Sequence, residues 1–268
     1  MKLLKGIAGE RIFRVAILGA LALLTLFFVG IIISALTYTD VDTFISALLS
    51  KEILFAVRLS LMTATISTAI AILIAIPVAY AISQTEFTGK YIVDTILDLP
   101  IVISPIALGA CLLVFFNTAV GAGINDNIVR FVFAVPGIVL AQFTIITALA
   151  IRLLKATFDS IDPRYEQVSR TLGYSKPEAF LRVTLPLAKN GLIAAGILTW
   201  ARALGEFGAT VTLAGATTMK TETLPVSIFL SLATADVEKA VAVIFVLVII
   251  AVIALLIIRQ IGGKKQLV

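Results

Sequence analysis

Six runs of mostly apolar residues, each close to the ~20 residues that an α-helix needs to cross a bilayer, constrain this chain more than any other feature. They cover about 15–36, 53–82, 95–116, 132–154, 190–213 and 237–258. In hydrocarbon every backbone N–H and C=O must be paired internally, so runs of this length can only be helices. The composition agrees: 60% of residues are hydrophobic, 14% are charged and the mean hydropathy is +1.11. A soluble domain carries about 25% charged residues. The first run is too long for a signal-peptide core and lacks a small-residue cleavage site, so it counts as a helix.

Composition also excludes chemistry. There is no His, which removes His-ligated metals, His bases and His proton relays. The lone Cys111 lies in an apolar run and leaves no disulfide within one chain. No GxxxxGK[ST] phosphate cradle, nucleophile elbow, zinc motif or paired catalytic carboxylates occur, so the chain cannot hydrolyse ATP by itself. Gly121-Ala122-Gly123 lacks the rest of any nucleotide motif and reads as a turn. The net charge of +5 reflects basic loops rather than a nucleic-acid surface.

The basic residues give the orientation. Lys2, Lys5, Arg11 and Arg14 precede the first run, and Lys90 lies between the second and third. Arg152, Lys155, Arg164, Arg170, Lys176, Arg182 and Lys189 cluster between the fourth and fifth, and Arg259, Lys264 and Lys265 follow the sixth. All fall on one side if both termini face the cytoplasm. The opposite loops hold Asp40, Asp42, Glu52, Asp126, Arg130, Lys220, Glu222, Asp236, Glu238 and Lys239. Residues 1–268 therefore form one all-α membrane domain with six spans, both ends inside, and no separate soluble unit.

The cytoplasmic segment at about 159–186 carries strong helix punctuation. Asp162 can cap a helix that starts at Pro163, and Gly173 is a natural residue past its end. Ser175 and Glu178 have the spacing of a capping box for a second helix, and Pro186 marks the turn into the fifth run. Val168, Leu172, Phe180 and Val183 are expected to share an apolar face, with Arg164, Arg170, Lys176 and Arg182 on a polar one.

Arg202 and Glu206 stand four residues apart, hence on one face of an uninterrupted helix, ~18 and ~24 Å along the fifth run. Charges at such depth face a bundle interior or a watery cavity. Two roles fit: an ion pair that fixes helix packing, possible also with Arg58, or contact between Arg202 and an anion. A fixed Glu would repel a dianion, which favours the pair. Gly205 and Gly208 are expected to let helices approach closely.

Gly173, Phe180, Val183, Leu185 and Pro186 resemble the "EAA" loop of importer-type ABC transporter permeases, with the Glu-Ala-Ala replaced by Gln167-Val168-Ser169 after Glu166. The run Ala201-Arg202-Ala203-Leu204-Gly205-Glu206-Phe207-Gly208-Ala209-Thr210 resembles that of oxyanion permeases, and Lys220 to Pro225 is most similar to the molybdate/tungstate branch. The resemblance implies a type I importer permease fold with a core over about 53–258 and an extra N-terminal helix. It implies cytoplasmic coupling helices that dock on an ATP-binding subunit through Glu166, Gln167, Arg170, Gly173, Tyr174, Ser175 and Phe180. It places Arg202, Gly205, Glu206, Gly208 and Thr210 in the pathway or in helix packing. It further implies a homodimer in the cell membrane, two ATP-binding cassette subunits that hold ATP and Mg, an extracytoplasmic anion-binding protein, and no cofactor in this chain. Sulfate or thiosulfate is the alternative cargo. The rival class, an ion-coupled carrier, needs intramembrane ion sites and two repeat halves that the sequence lacks.

Overall fold

A computed structural model describes residues 2–37 and 41–263, so Asp40, Lys264 and Lys265 lie outside the described residues. Every regular element among them is helical: α1 (Lys2–Leu36), α2 (Val41–Leu48), α3 (Lys51–Gln84), α4 (Lys90–Val102), α5 (Pro105–Phe116), α6 (Ala119–Asn127) and α7 (Val135–Asp159). Then come α8 (Arg164–Thr171), α9 (Lys176–Ala179), a π-helical stretch (Phe180–Thr184), α10 (Leu185–Leu187), α11 (Lys189–Leu204), α12 (Gly208–Ala214), α13 (Leu224–Ala233) and α14 (Val237–Gly263).

The long helix α3 organises the subunit. Ser50 caps it, its side chain accepting from Ile53 N at 3.3 Å, and Glu52 sits in the first turn. Ala56, Ser60, Thr63, Ala64, Ser67, Ala71, Ala75 and Ala79 are buried at spacings of three to four. Small residues let helix backbones come close where lipid offers no hydrophobic drive for association. This stripe meets α7, and Ser67 Oγ donates to Gln142 Oε1 at 3.1 Å across the contact. Toward the cytoplasmic loops, Ala75, Ala79 and Ile82 of α3 join Ile151, Leu154 and Phe158 of α7, with Ala188 and Ala195 against them. Arg152 of α7 pairs with Asp94 and Asp98 of α4, which ties that helix to the same core.

Four helical stretches are long and apolar enough to cross a membrane: Phe13–Ala35, Lys51–Gln84, Val135–Asp159 and Val237–Gln260. Six result only if each of two bent helix pairs is one span. The third run is accordingly not a single helix. It breaks between α4 and α5 with a bend of 110°. Pro105 is the cause: it supplies no N–H and drives Ser104 to extended backbone (ψ 143°), where the Ser104 hydroxyl accepts from Ala107 N at 3.3 Å and caps α5. The fifth run is also interrupted. α11 ends at Gly205, and a separate short helix, α12, begins at Gly208.

The two short helices α5 and α12 cross in contact. A Cβ on Gly109 would stand 2.9 Å from Ala209 Cα and 2.9 Å from Thr212 Cβ, so the backbones touch there. Phe116, Ala141, Ile145, Ala209 and Leu213 close the core around this crossing. Within α1, no side chain of the apolar stretch Phe13–Ala35 is buried.

Candidate functional site: the cytoplasmic helix pair and the broken helix

The cytoplasmic segment folds as its punctuation requires. Asp162 Oδ1 accepts from Arg164 N at 2.9 Å, and Pro163 immediately precedes α8. At the far end Gly173 takes φ +99°, the left-handed region that suits a residue without Cβ. Tyr174 N then bonds back to Ser169 O at 3.2 Å, and Gly173 N to Arg170 O at 3.1 Å. These are the closing bonds of a glycine-terminated helix. Glu178 Oε2 accepts from Ser175 N (2.9 Å) and from Ser175 Oγ (2.7 Å) at the start of α9. Those two bonds hold the Glu178 carboxyl below the usual carboxylate range.

The expected apolar face divides in two. Phe180 turns inward, its ring 4.5 Å from Tyr80 and 6.3 Å from Phe158. Val168 and Leu172 turn outward, 58% and 77% exposed. Side chains on α8 cannot share a face with Phe180, because the reversal at Gly173 points the two helices differently. The outward surface carries Tyr165, Val168, Leu172 and Leu181 beside exposed Gln167, Arg164, Arg170 and Arg182. The Arg182 guanidinium lies 5.4 Å over the Tyr174 ring, fixing two members of this surface together.

Glu166 departs from the other members of the segment. Its carboxylate points into the subunit and accepts from Tyr80 Oη at 2.9 Å on each oxygen, and from Thr184 Oγ1 at 3.1 Å. Neither Tyr80 nor Thr184 was foreseeable as a partner. Tyr80 stands 86 residues away on α3, and no local pattern signals a contact over that distance.

In the broken helix, Arg202 and Glu206 meet at 2.8 Å. The pairing is the expected one, but the helix has already ended between them. Arg202 occupies the last turn of α11, while Glu206 lies in the break. There Glu206 Oε1 accepts from Ala209 N at 3.0 Å, satisfying a free amide at the start of α12. The Glu206 side chain is 1% exposed and that of Arg202 38%. Arg58 is exposed and takes no part in the pair.

The two glycines differ. A Cβ on Gly208 would sit 3.0 Å from Pro105 Cβ and Ile106 Cγ1, so this glycine does admit the start of α5. A Cβ on Gly205 would find only Ala201 O, at 3.9 Å. Gly205 therefore terminates α11 rather than mediating close approach. Thr210 is fully buried on α12. Among the described residues no group of three or more His, Cys, Asp or Glu could hold a metal ion.

Comparison with known proteins assigns this architecture. Residues 68–264 match the family described as "Binding-protein-dependent transport system inner membrane component". A probable molybdenum ABC transporter permease protein of Haloferax volcanii is 35% identical over 245 residues, covering 91% of this chain and 87% of that protein. The sulfate transport system permease protein CysW of Synechococcus elongatus is 34% identical over 184 residues, covering 68% of this chain and 64% of that one. Among solved structures, a chain of a bacterial ABC transporter involved in import of the acidic polysaccharide alginate superposes with TM-score 0.79. Its identity is 18% over 99% of this chain and 100% of that one, a likeness of fold. The helical fold built on α3 and α7, the capped cytoplasmic pair and the match over 68–264 make this chain a member of the binding-protein-dependent transport system inner membrane components.

Proposed function

We propose that this chain is the membrane-spanning permease subunit of an ABC importer for molybdate or tungstate. One observation carries the substrate class: the similarity to the Haloferax volcanii molybdenum permease runs over 91% of the chain and so includes the broken helix around Arg202 and Glu206. Sulfate is the less favoured cargo, since the sulfate permease matches over only 68%.

The outward surface of α8 and α9 supports docking on an ATP-binding partner. It presents a capped, rigid helix pair with exposed Tyr165, Val168 and Leu172 ringed by Arg164, Arg170 and Arg182. Exposed apolar side chains rimmed by charge mark a protein contact. Gln167, Arg170, Gly173, Tyr174 and Ser175 belong to that surface or shape it. ATP and Mg bind on the partner, and this chain hydrolyses nothing. The placement of Arg164, Arg170, Lys176 and Arg182 here supports the cytoplasmic position of both termini.

Two copies related by a two-fold axis form the pathway, because one subunit leaves a short, crossed-helix centre rather than an enclosure. An external binding protein delivers the anion, and ATP binding draws the docked pairs together to alternate access. The test is uptake of labelled molybdate, tungstate and sulfate into proteoliposomes that hold the permease, the ATP-binding subunits and the binding protein. ATP-dependent uptake of molybdate or tungstate that excess sulfate does not suppress is expected. Sulfate uptake at equal or greater rate overturns the substrate, and uptake driven by an ion gradient without ATP overturns the class.

A further inference from the structure

The first cytoplasmic helix, α8, is joined to the membrane core by the chain segment 160–163 and by one polar cluster. In that cluster the Tyr80 hydroxyl donates to both oxygens of Glu166, at 2.9 Å each, and Thr184 Oγ1 donates to Glu166 Oε2 at 3.1 Å. A phenol has one proton, so its bond is shared between the two carboxylate oxygens. Bonds to an ionised acceptor are about twice as strong as neutral ones. The Tyr80 ring is itself clamped, 5.8 Å from Phe158 of α7 and 4.5 Å from Phe180 of the π-helical stretch.

The three groups belong to three parts of the fold. Tyr80 stands near the end of α3, the helix that packs along α7. Glu166 is on α8, and Thr184 closes the π-helical stretch that leads into α11. A push on the outward face of α8 therefore reaches α3 and α11 together, through one carboxylate.

We propose that Tyr80 is the positioning residue that makes the cytoplasmic helix pair move as one body with α3, with Glu166 as an internal anchor rather than a contact for the ATP-binding partner. This rests on the permease reading above. The link transmits displacement; it neither touches the cargo nor the nucleotide. Without it, α8 remains folded by its own caps at Asp162 and Gly173 but is free to tilt against the membrane core.

Two measurements test it. The first needs no transport. A spin label at Leu172→Cys, in a Cys111→Ala background, reports the motion of α8 in the isolated full-length chain in lipid nanodiscs. Tyr80→Phe keeps the ring and its packing and removes only the donor, and it is expected to raise label mobility clearly. Unchanged mobility overturns the anchor. The second uses the complete transporter in proteoliposomes and reads labelled molybdate taken up per ATP hydrolysed. Tyr80→Phe is expected to keep ATP hydrolysis and to lower uptake per ATP about tenfold, the scale of one hydrogen bond to a charged group. Glu166→Gln, which keeps an oxygen for the phenol, is expected to retain more coupling than Glu166→Ala. The pair Tyr80→Phe with Glu166→Ala should be no worse than Glu166→Ala alone. Uptake and hydrolysis that fall in parallel mean a merely structural role and overturn the proposal, as does an additive double variant. A wild-type complex with no ATP-dependent uptake fails the permease reading instead, and the mobility measurement still decides the anchor.

Discussion

Removal of either member of the Arg202–Glu206 pair has unequal consequences, and the inequality follows from their environments. The Glu206 carboxylate is 1% exposed and has two partners, Arg202 at 2.8 Å and Ala209 N at 3.0 Å. Arg202→Met strips the charged partner and leaves a buried carboxylate with a single amide donor. Breaking a buried pair this way costs about 3–5 kcal/mol, and the 38% exposure of Arg202 points to the lower end, about 3 kcal/mol. Glu206→Gln is milder. The amide oxygen still accepts from Ala209 N, and the Arg202 guanidinium can reach water, so about 1 kcal/mol is expected. The double variant removes the uncompensated charge and should recover about 2 kcal/mol relative to Arg202→Met. Steric-trap unfolding in bicelles measures these differences in a bilayer. Equal losses in the two single variants, or a double variant no more stable than Arg202→Met, refute the structural pair. If Arg202 instead touches the anion, Arg202→Gln spares stability but abolishes uptake, and Glu206→Gln does not rescue it.

Three further outcomes are expected. Gly173→Val forces φ +99° on a β-branched residue in an open position, costing about 1–3 kcal/mol locally; the chain should insert normally while uptake per ATP falls, and wild-type coupling in the reconstituted transporter contradicts the role of the turn. Gly109→Ala drives a methyl into Ala209 and Thr212 of α12 and should destabilise by about 1–3 kcal/mol in the same unfolding assay, whereas Gly123→Ala, with no atom within 4 Å, should not. Glu178 has a depressed pKa, so its capping contribution is present above the ordinary carboxylate pKa and is lost as pH falls through the lower folded value. Proteolysis of the α8–α9 turn should therefore accelerate at acid pH, and Glu178→Gln should remove that pH dependence.

Local chemistry made part of this structure legible and hid the rest. Asp162, Gly173, Ser175 and Glu178 act on backbone groups within a few residues, so their spacing alone located both cytoplasmic helices. Arg202 and Glu206 were readable as partners because four residues bring them together even where the helix stops. The breaks at Ser104–Pro105 and at Gly205 escaped, since apolar residues continue through both and hydropathy does not register backbone direction. Gly205 and Gly208 look alike in the sequence, yet only Gly208 faces another backbone. Glu166 reads as one more surface charge until α3 places Tyr80 beside it, and which side chain anchors the loop is settled by that tertiary contact alone.

The π-helical stretch Phe180–Thr184 fixes an angular phase. It closes with Leu185 N bonded to Phe180 O, one residue wider than an α-turn, immediately before Pro186, which has no N–H to give. Each residue of an α-helix advances about 100° around the axis. Deletion of one residue between 180 and 184 would return the turn to α-helix and rotate α8 and α9 by roughly that angle relative to α11. Glu166 would then face away from Tyr80, and Leu172 toward a different quarter of the subunit. Chain length in this five-residue window is thus a geometric setting in its own right, and point substitutions that preserve it are far less consequential than a single missing residue.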